Sequence, residues 1–332
     1  MPDSVMVFAP SPQLTVTIEK TGDDDEIHLH AGGQGVWVAR MIRSLGVPVR
    51  LVSAFGDETG HVVRTLITAE GLELAATDTT GGNGAYVHDR RDGQRNELAQ
   101  APGHTLTRHE QDELYGLALA EGLRARVCVL AGVADPRVLP PDTYRRLAID
   151  LRRNGALVIA DLSGDYLDAA LAGGLDVLKV SHEELLHDGR AADDSTPALL
   201  AAMRQLQAEG AAAIVLSRAD LPALTLLDHH LLEVRLPRLE PADHRGAGDS
   251  MTAGLAAVLA QGGDMRTAVR TGAAAGALNV TRHGLGTGRA DAINRFLDTV
   301  QLRDLPDEPA TGHHPDSGRT TPQELAGKVK KA

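Results

Sequence analysis

The segment Asp243, His244, Arg245, Gly246, Ala247, Gly248, Asp249, followed by Ser250, Met251, Thr252, Ala253, Gly254 and an apolar run of helical period, decides how the rest of the chain is read. Small residues ahead of a helix let several backbone N–H groups converge on an anion, and the helix dipole adds favourable potential at that point. Gly246, Ala247 and Gly248 therefore read as a phosphate cradle. The Asp249 carboxylate at its mouth is placed to accept a proton from a hydroxyl while the amides hold the phosphoryl group in transfer. A glycine turn with Asp249 as an ordinary cap fits the same residues, so the surrounding chain must decide.

Working outward, the first relevant feature is a second glycine cluster, Gly32, Gly33, Gln34, Gly35, which leads into Val36, Trp37, Val38, Ala39 and Arg40. Adjacent glycines before a helix allow a small polar ligand to touch the main chain, as a sugar platform requires. The cluster lacks the third glycine of the dinucleotide fingerprint. The chain also has no G-x-x-x-x-G-K-[ST] loop, which leaves dinucleotide dehydrogenases and P-loop NTPases without support.

Between and around these clusters, short β-branched runs alternate with alanine- and leucine-rich segments, the pattern of a parallel sheet covered by helices on both faces. Strands are expected at Val5 to Phe8, Val49 to Ala54, Val127 to Ala131, Leu157 to Asp161, Val177 to Val180 and Ala213 to Ser217. Helices are expected at Gly35 to Leu45, Gly60 to Glu70, Arg108 to Leu123, Pro141 to Asn154, Pro197 to Glu209, Gly248 to Gln261 and Met265 to Thr281. Two polar, alternating stretches, about 12–30 and 84–100, read as strands without a helix and predict a small sheet projecting as a lid. Residues 1–304 are read as one domain, and 305–332, rich in Pro, Gly, Ser, Thr and charge, as a disordered tail.

Composition narrows the function classes. The 332 residues carry 33 Lys plus Arg against 45 Asp plus Glu, a net charge of −12, and only 2% are aromatic. Such a chain lacks the basic surface and stacking platforms of a nucleic-acid binder. No stretch has the length of a membrane span, and Met1 to Pro12 does not read as a signal peptide, so a cytoplasmic protein is expected. The single Cys128 sits in an apolar run and reads as a buried strand residue. His182, Glu183 and His187 do not meet the i, i+4 spacing of a zinc site.

Together the two glycine clusters, their order and their separation resemble the two signatures of the PfkB, or ribokinase-like, carbohydrate kinase family, over about residues 5–300. Asp161-Leu162-Ser163-Gly164, the run Leu178 to Leu185, Gly246 to Asp249 and Leu285-Gly286-Thr287-Gly288 look most like the 1-phosphofructokinase and tagatose-6-phosphate kinase branch. The resemblance implies a three-layer α/β sandwich with a β lid, and MgATP-dependent phosphoryl transfer to an alcohol group of a sugar or phosphosugar. It makes Asp249 the base and Gly246 to Gly248 the anion hole. Glu184, with Asp243, would position magnesium through water. Ser181 stands where the family has asparagine. On the nucleotide side it places Lys179, Ser181, Ser217 and Gly286, with Arg245 beside the cradle. A homodimer that covers the lid edges is also expected.

The resemblance breaks at the residues that hold the sugar. An aspartate-bearing N-P-x-x-D element is replaced by Ser11, Pro12, Gln13, Leu14, Thr15, and G-G-K-G-x-N becomes Gly32, Gly33, Gln34, Gly35, Val36, Trp37. A T-R pair after the lid is absent around Gly82 to Ala85, and Ser217 to Leu221 replaces a glycine turn on the ATP side. The leading expectation is a kinase with a changed acceptor, bound by Thr15, Gly32, Gly33, Gln34 and Trp37, with the Arg245 guanidinium compensating for the lost lysine. Two alternatives remain: a catalytically silent nucleotide- or metabolite-binding relative, and a nucleoside kinase in which Trp37 stacks on a base.

Overall fold

A computed structural model describes residues 3–237, 239, 245–281 and 286–305. Fourteen strands and ten helices are numbered in chain order. Among the described residues, no helix is long and apolar enough to cross a membrane.

A ten-stranded sheet forms the body. Its parallel centre comprises β1 (Val5–Phe8), β4 (Val49–Gly56), β5 (Glu73–Thr79), β8 (Val127–Ala131), β9 (Leu157–Asp161), β10 (Leu175–Ser181) and β11 (Ala211–Arg218). Three antiparallel strands, β12 (Leu221–Leu227), β13 (His230–Arg235) and β14 (Gln301–Asp304), extend one edge. The spatial order is β14-β13-β12-β11-β10-β9-β8-β1-β4-β5.

Alternation along the central strands explains the two helical layers, because successive side chains point to opposite faces. Val5, Val7, Val127, Val129, Ile159 and Val177 join one core, whereas Met6, Phe8, Cys128, Leu130, Val158 and Leu178 join the other. The first core is covered by α1 (Gln34–Ser44), α2 (Asp57–Ala69), α8 (Ala247–Ala260), α9 (Met265–Val280) and α10 (Ala290–Phe296). The second is covered by α3 (Arg108–Gly122), α4 (Asp142–Arg153), α5 (Gly164–Gly173), α6 (His182–His187) and α7 (Thr196–Glu209). Cys128 is buried, as expected.

The chain runs from β1 toward β5 in one direction and from β8 toward β11 in the other, so the order reverses between β1 and β8. In open α/β sheets, ligands bind at such a reversal, beyond the carboxyl ends of the strands. The loops after β1, β8, β9 and β10 meet there.

The lid is a separate four-stranded sheet in the order β3-β2-β6-β7, built from β2 (Gln13–Thr21), β3 (Asp24–Gly32), β6 (Ala85–Asp89) and β7 (Asn96–Ala101). Register puts Gln13, Thr15, Thr17, His30, Tyr86 and His88 on one face and Val16, Ile18, Ile27, Leu29 and Val87 on the other. Ile27 and Leu29, on edge strand β3, are 68% and 47% exposed. At the root of the lid, Glu110 closes a capping box with Thr107 and accepts the Thr80 N–H at 2.7 Å. Burial pushes this carboxyl upward, but the hydrogen bonds from Thr80 and Thr107 outweigh it and hold the pKa at about 2.

The structure adds elements that the periodicity does not predict. They are α5, α6 and α10, each of ten residues or fewer, together with β5 and the β12–β14 edge. The β12–β13 hairpin turns on Asp228 and His229, whose φ values of 46° and 66° suit a mirror-image turn normally signalled by glycine. Without that glycine, the hairpin goes unread. The expected tail begins at 305, and residues 306–332 lie outside the described residues.

Candidate active site

Gly246, Ala247 and Gly248 stand at the amino end of α8, the helix the sequence predicts there. Gly246 takes up the left-handed conformation at φ 68° that starts α8, which glycine adopts without steric cost. Two buried contacts hold the first turn of α8 in place. A Cβ on Gly248 would lie 2.4 Å from Lys179 Nζ, so this lysine packs directly against the loop. Thr252, one turn into α8, donates its hydroxyl to Asp161 Oδ2 at 2.7 Å.

Beneath the cradle, Lys179 Nζ meets Asp161 Oδ1 at 3.2 Å, with both residues buried. Burial pulls the ammonium pKa down, but the carboxylates of Asp161, Glu184 and Asp249 outweigh it and hold the pKa above its usual value. Lys179 thus stays charged and neutralises a buried acid. Losing either partner would leave an uncompensated charge in the interior.

Asp249 is itself buried in the first turn of α8. Burial, reinforced by the Asp161 and Glu184 carboxylates and opposed by Lys179, raises its pKa to about 7. A carboxyl poised near neutrality accepts a proton far better than an ordinary aspartate does.

Glu184 opens α6. Its Oε2 accepts the Ser181 N–H and hydroxyl, both at 2.7 Å, while Ser181 Oγ accepts the Glu184 N–H at 3.2 Å. This capping box fixes Glu184 as it lines a cavity beside Asp161. Two carboxylate oxygen donors suit magnesium, which keeps most of its water and takes one or two protein ligands. Among the described residues, no cluster of three metal-binding side chains exists. Asp243, expected to join Glu184, lies outside the described residues.

The cavity, of about 260 Å³, opens at the strand-order reversal. Gly33, Gln34 and Trp37 from the start of α1 line it, as expected, with Ser11 and Gln13 on one side and Gly132 and Tyr166 on the other. Gly33 caps α1 at φ 105°, and Gly35 lies so near Ala9 that any Cβ would strike the alanine side chain. Gln34 Oε1 accepts the Gly132 N–H at 2.6 Å, joining α1 to the loop after β8. Thr15 and Gly32, expected beside the acceptor, do not line this cavity; they pack against one another at the root of the lid.

Ser217, next to last in β11, lies opposite Ser181 and outside the cavity lining. Its neighbour Arg218 is buried in the turn, donating to Pro222 O and Thr196 Oγ1, and burial lowers its pKa. Gly286 packs on the Trp37 backbone.

Sequence reasoning missed Asn279. It is wholly buried on α9, where Nδ2 donates to Arg245 O at 2.7 Å and Oδ1 accepts the Gly286 N–H at 3.0 Å. One side chain thereby ties the entry of the cradle to the glycine loop beyond α9. An asparagine directly after the alanine-rich run Gly272 to Leu278 was the available signal, since a polar residue there must find partners. Arg245 is exposed beside the cradle, and its charge reaches His88 under the lid. Burial first, then Arg95, Arg90 and Arg245, lower the His88 pKa to about 4.

The model of the pfkB family of carbohydrate kinases matches residues 7–292. The chain is 27% identical to the 1-phosphofructokinase of Bacillus subtilis, over 83% of this chain and 89% of that protein. It is 32% identical to the 1-phosphofructokinase of Xanthomonas campestris pv. campestris, over 69% of this chain and 73% of that one. Among solved structures, phosphofructokinase-2 from Escherichia coli superposes with a TM-score of 0.78 at 22% identity, covering 89% of this chain and 98% of that chain. The chain belongs to the pfkB family of carbohydrate kinases and has the ribokinase-like fold.

Proposed function

We propose that this member of the pfkB family transfers the γ-phosphoryl group of ATP to an alcohol group of a sugar or phosphosugar, with Asp249 as the general base. The observation that carries this reading is a buried carboxyl with a pKa near 7 in the first turn of a helix whose amino end is a glycine cradle. As the acceptor oxygen attacks, its proton passes to Asp249. The N–H groups of Gly246, Ala247 and Gly248 face the charge that develops on the transferred group, and such prearranged donors cost no reorganisation when the reaction occurs. Lys179 keeps Asp161 neutralised and stays in place under the loop. Glu184 would hold hydrated magnesium, which when bound offsets charge on the nucleotide phosphates.

The lid contributes by position. Its polar face carries Gln13 into the cavity, and closure would exclude water that otherwise intercepts the phosphoryl group. The exposed edge residues Ile27 and Leu29 support the expectation that a second copy covers the lid.

Replacement of Asp249 by Asn tests the assignment. Acceptor-dependent ADP release should fall by about 10²–10⁴-fold while ATP binding, read by calorimetry, persists. Unaltered turnover would contradict it. One observation favours the silent-binder reading: the family lysine is gone, and its replacement, Gln34, is bound to Gly132. ATP binding without ADP release across a broad panel of alcohols would establish that reading instead.

A further inference from the structure

Among the described residues, the cavity beside the phosphoryl-transfer cluster is lined without a cationic side chain. The lining includes no Lys, Arg or His, and its only ionisable acids are Asp161 and Glu184. We infer that the acceptor is an uncharged polyol, an unphosphorylated sugar or sugar alcohol, rather than a sugar phosphate; this rests on the kinase reading given above.

Three features support the inference. First, a phosphate dianion in a confined site needs a charged or multiply donating partner, and beside fixed carboxylates an unmatched one is repelled. The amino end of α1 offers backbone donors at Gln34 and Gly35 but adds no full positive charge. Second, two of the neutral polar groups that line the cavity are already committed to the scaffold, which leaves Ser11, Gln13 and Ser163 as hydroxyl and amide partners suited to an uncharged acceptor. Gln34 Oε1 is held by Gly132 N, and the Tyr166 hydroxyl lies 2.8 Å from both Pro136 O and Leu139 O. Asn83 donates to Pro12 O and Ala54 O and accepts the Gly56 N–H, so the loop after β5 has no spare group there. Third, Trp37 gives the wall an indole, which suits the C–H face of an uncharged ring.

Lys179 reaches the site only as the ion-pair partner of Asp161, and the cations of the lid and of the cradle entry lie elsewhere. Arg90 pairs with Glu19 at 3.7 Å, Arg95 lies over the Tyr86 ring at 4.9 Å, and Arg245 stands beside the cradle. None of the three lines the cavity.

The test uses the full chain with MgATP and two matched sets of acceptors. D-fructose, D-tagatose and D-ribose form one set; fructose 1-phosphate, fructose 6-phosphate and tagatose 6-phosphate form the other. ADP release should favour the best neutral compound over every phosphate by about tenfold or more in kcat/KM. Added salt should leave its KM nearly unchanged, because no ion pair is involved. Thermal shift without nucleotide reads binding alone: neutral compounds should raise Tm and the phosphates should not. Gln34→Lys should raise kcat/KM for a phosphate by about tenfold, by supplying the missing charge.

Equal or better use of a phosphate would overturn the inference while leaving the kinase reading intact. If Arg245→Ala then abolished that preference, the lid-side cations would be the phosphate site. A thermal shift from neutral compounds without ADP release would support the inference while sinking the kinase reading. No shift from either set, with no turnover, would overturn both.

Discussion

The two ends of the crevice are built from different materials. At the phosphoryl end, Asp161, Lys179, Glu184 and Asp249 place four ionisable groups within mutual electrostatic reach, three of them buried. At the acceptor end, glycines, Gln34, Trp37 and Tyr166 offer main chain, amide and aromatic surface. On the proposed function, chemistry common to every acceptor would be fixed by charge held in a rigid scaffold, whereas recognition would rest on neutral contacts with little geometric cost to change. The contrast explains how a chain can keep its family's catalytic residues while losing its family's sugar contacts.

Substitutions at the two ends should therefore produce different kinetic signatures. The larger effect is expected at the phosphoryl end. In Gly248→Val the new side chain would collide with Lys179 beneath the cradle, and kcat should drop by about 10²–10³-fold with the acceptor KM little changed. Steady-state kinetics on a variant whose circular dichroism matches the parent checks this; a pure KM effect would erase the distinction. The smaller effect is expected from Trp37→Ala. Gly286 packs on the backbone of Trp37 and the indole lines the cavity, so truncation should spare the fold and raise the acceptor KM about tenfold while kcat stays within about threefold. A comparable loss in kcat would mean that the indole positions the reacting groups as well.

Much of this architecture is legible in the chain. Strands β1, β8 and β9 fall on the residues the hydrophobic runs predict, and α1, α8 and α9 agree to within a residue. These are long or strongly apolar elements, whose pattern alone sets their burial. The β12–β14 edge is not legible, because its turn uses Asp228 and His229 in a conformation that residue type does not announce. Of the site, Gly246 to Asp249 are legible as small residues ahead of a helix, and the second glycine cluster gives that turn its reading as a cradle. Long-range pairings escape such a reading. Asp161 lies 91 residues from Thr252, and Asn279 lies 34 from Arg245, so only the fold brings each pair together. Gln34 and Trp37 are legible as cavity residues, but the commitment of Gln34 to Gly132 is not, for the same reason.

The central claim is that a buried carboxyl, lifted by its neighbours, receives the proton of the acceptor alcohol. The most direct check is the pH dependence of kcat/KM in the parent and in Asp161→Asn. A base must be unprotonated to act, so turnover should fall about tenfold per unit as pH drops below a midpoint near 7, and plateau above it. Removing the Asp161 charge takes away one of the forces raising Asp249, so the midpoint should move to lower pH. A profile flat from pH 5 to 8, or a midpoint that does not move in the variant, would contradict the account.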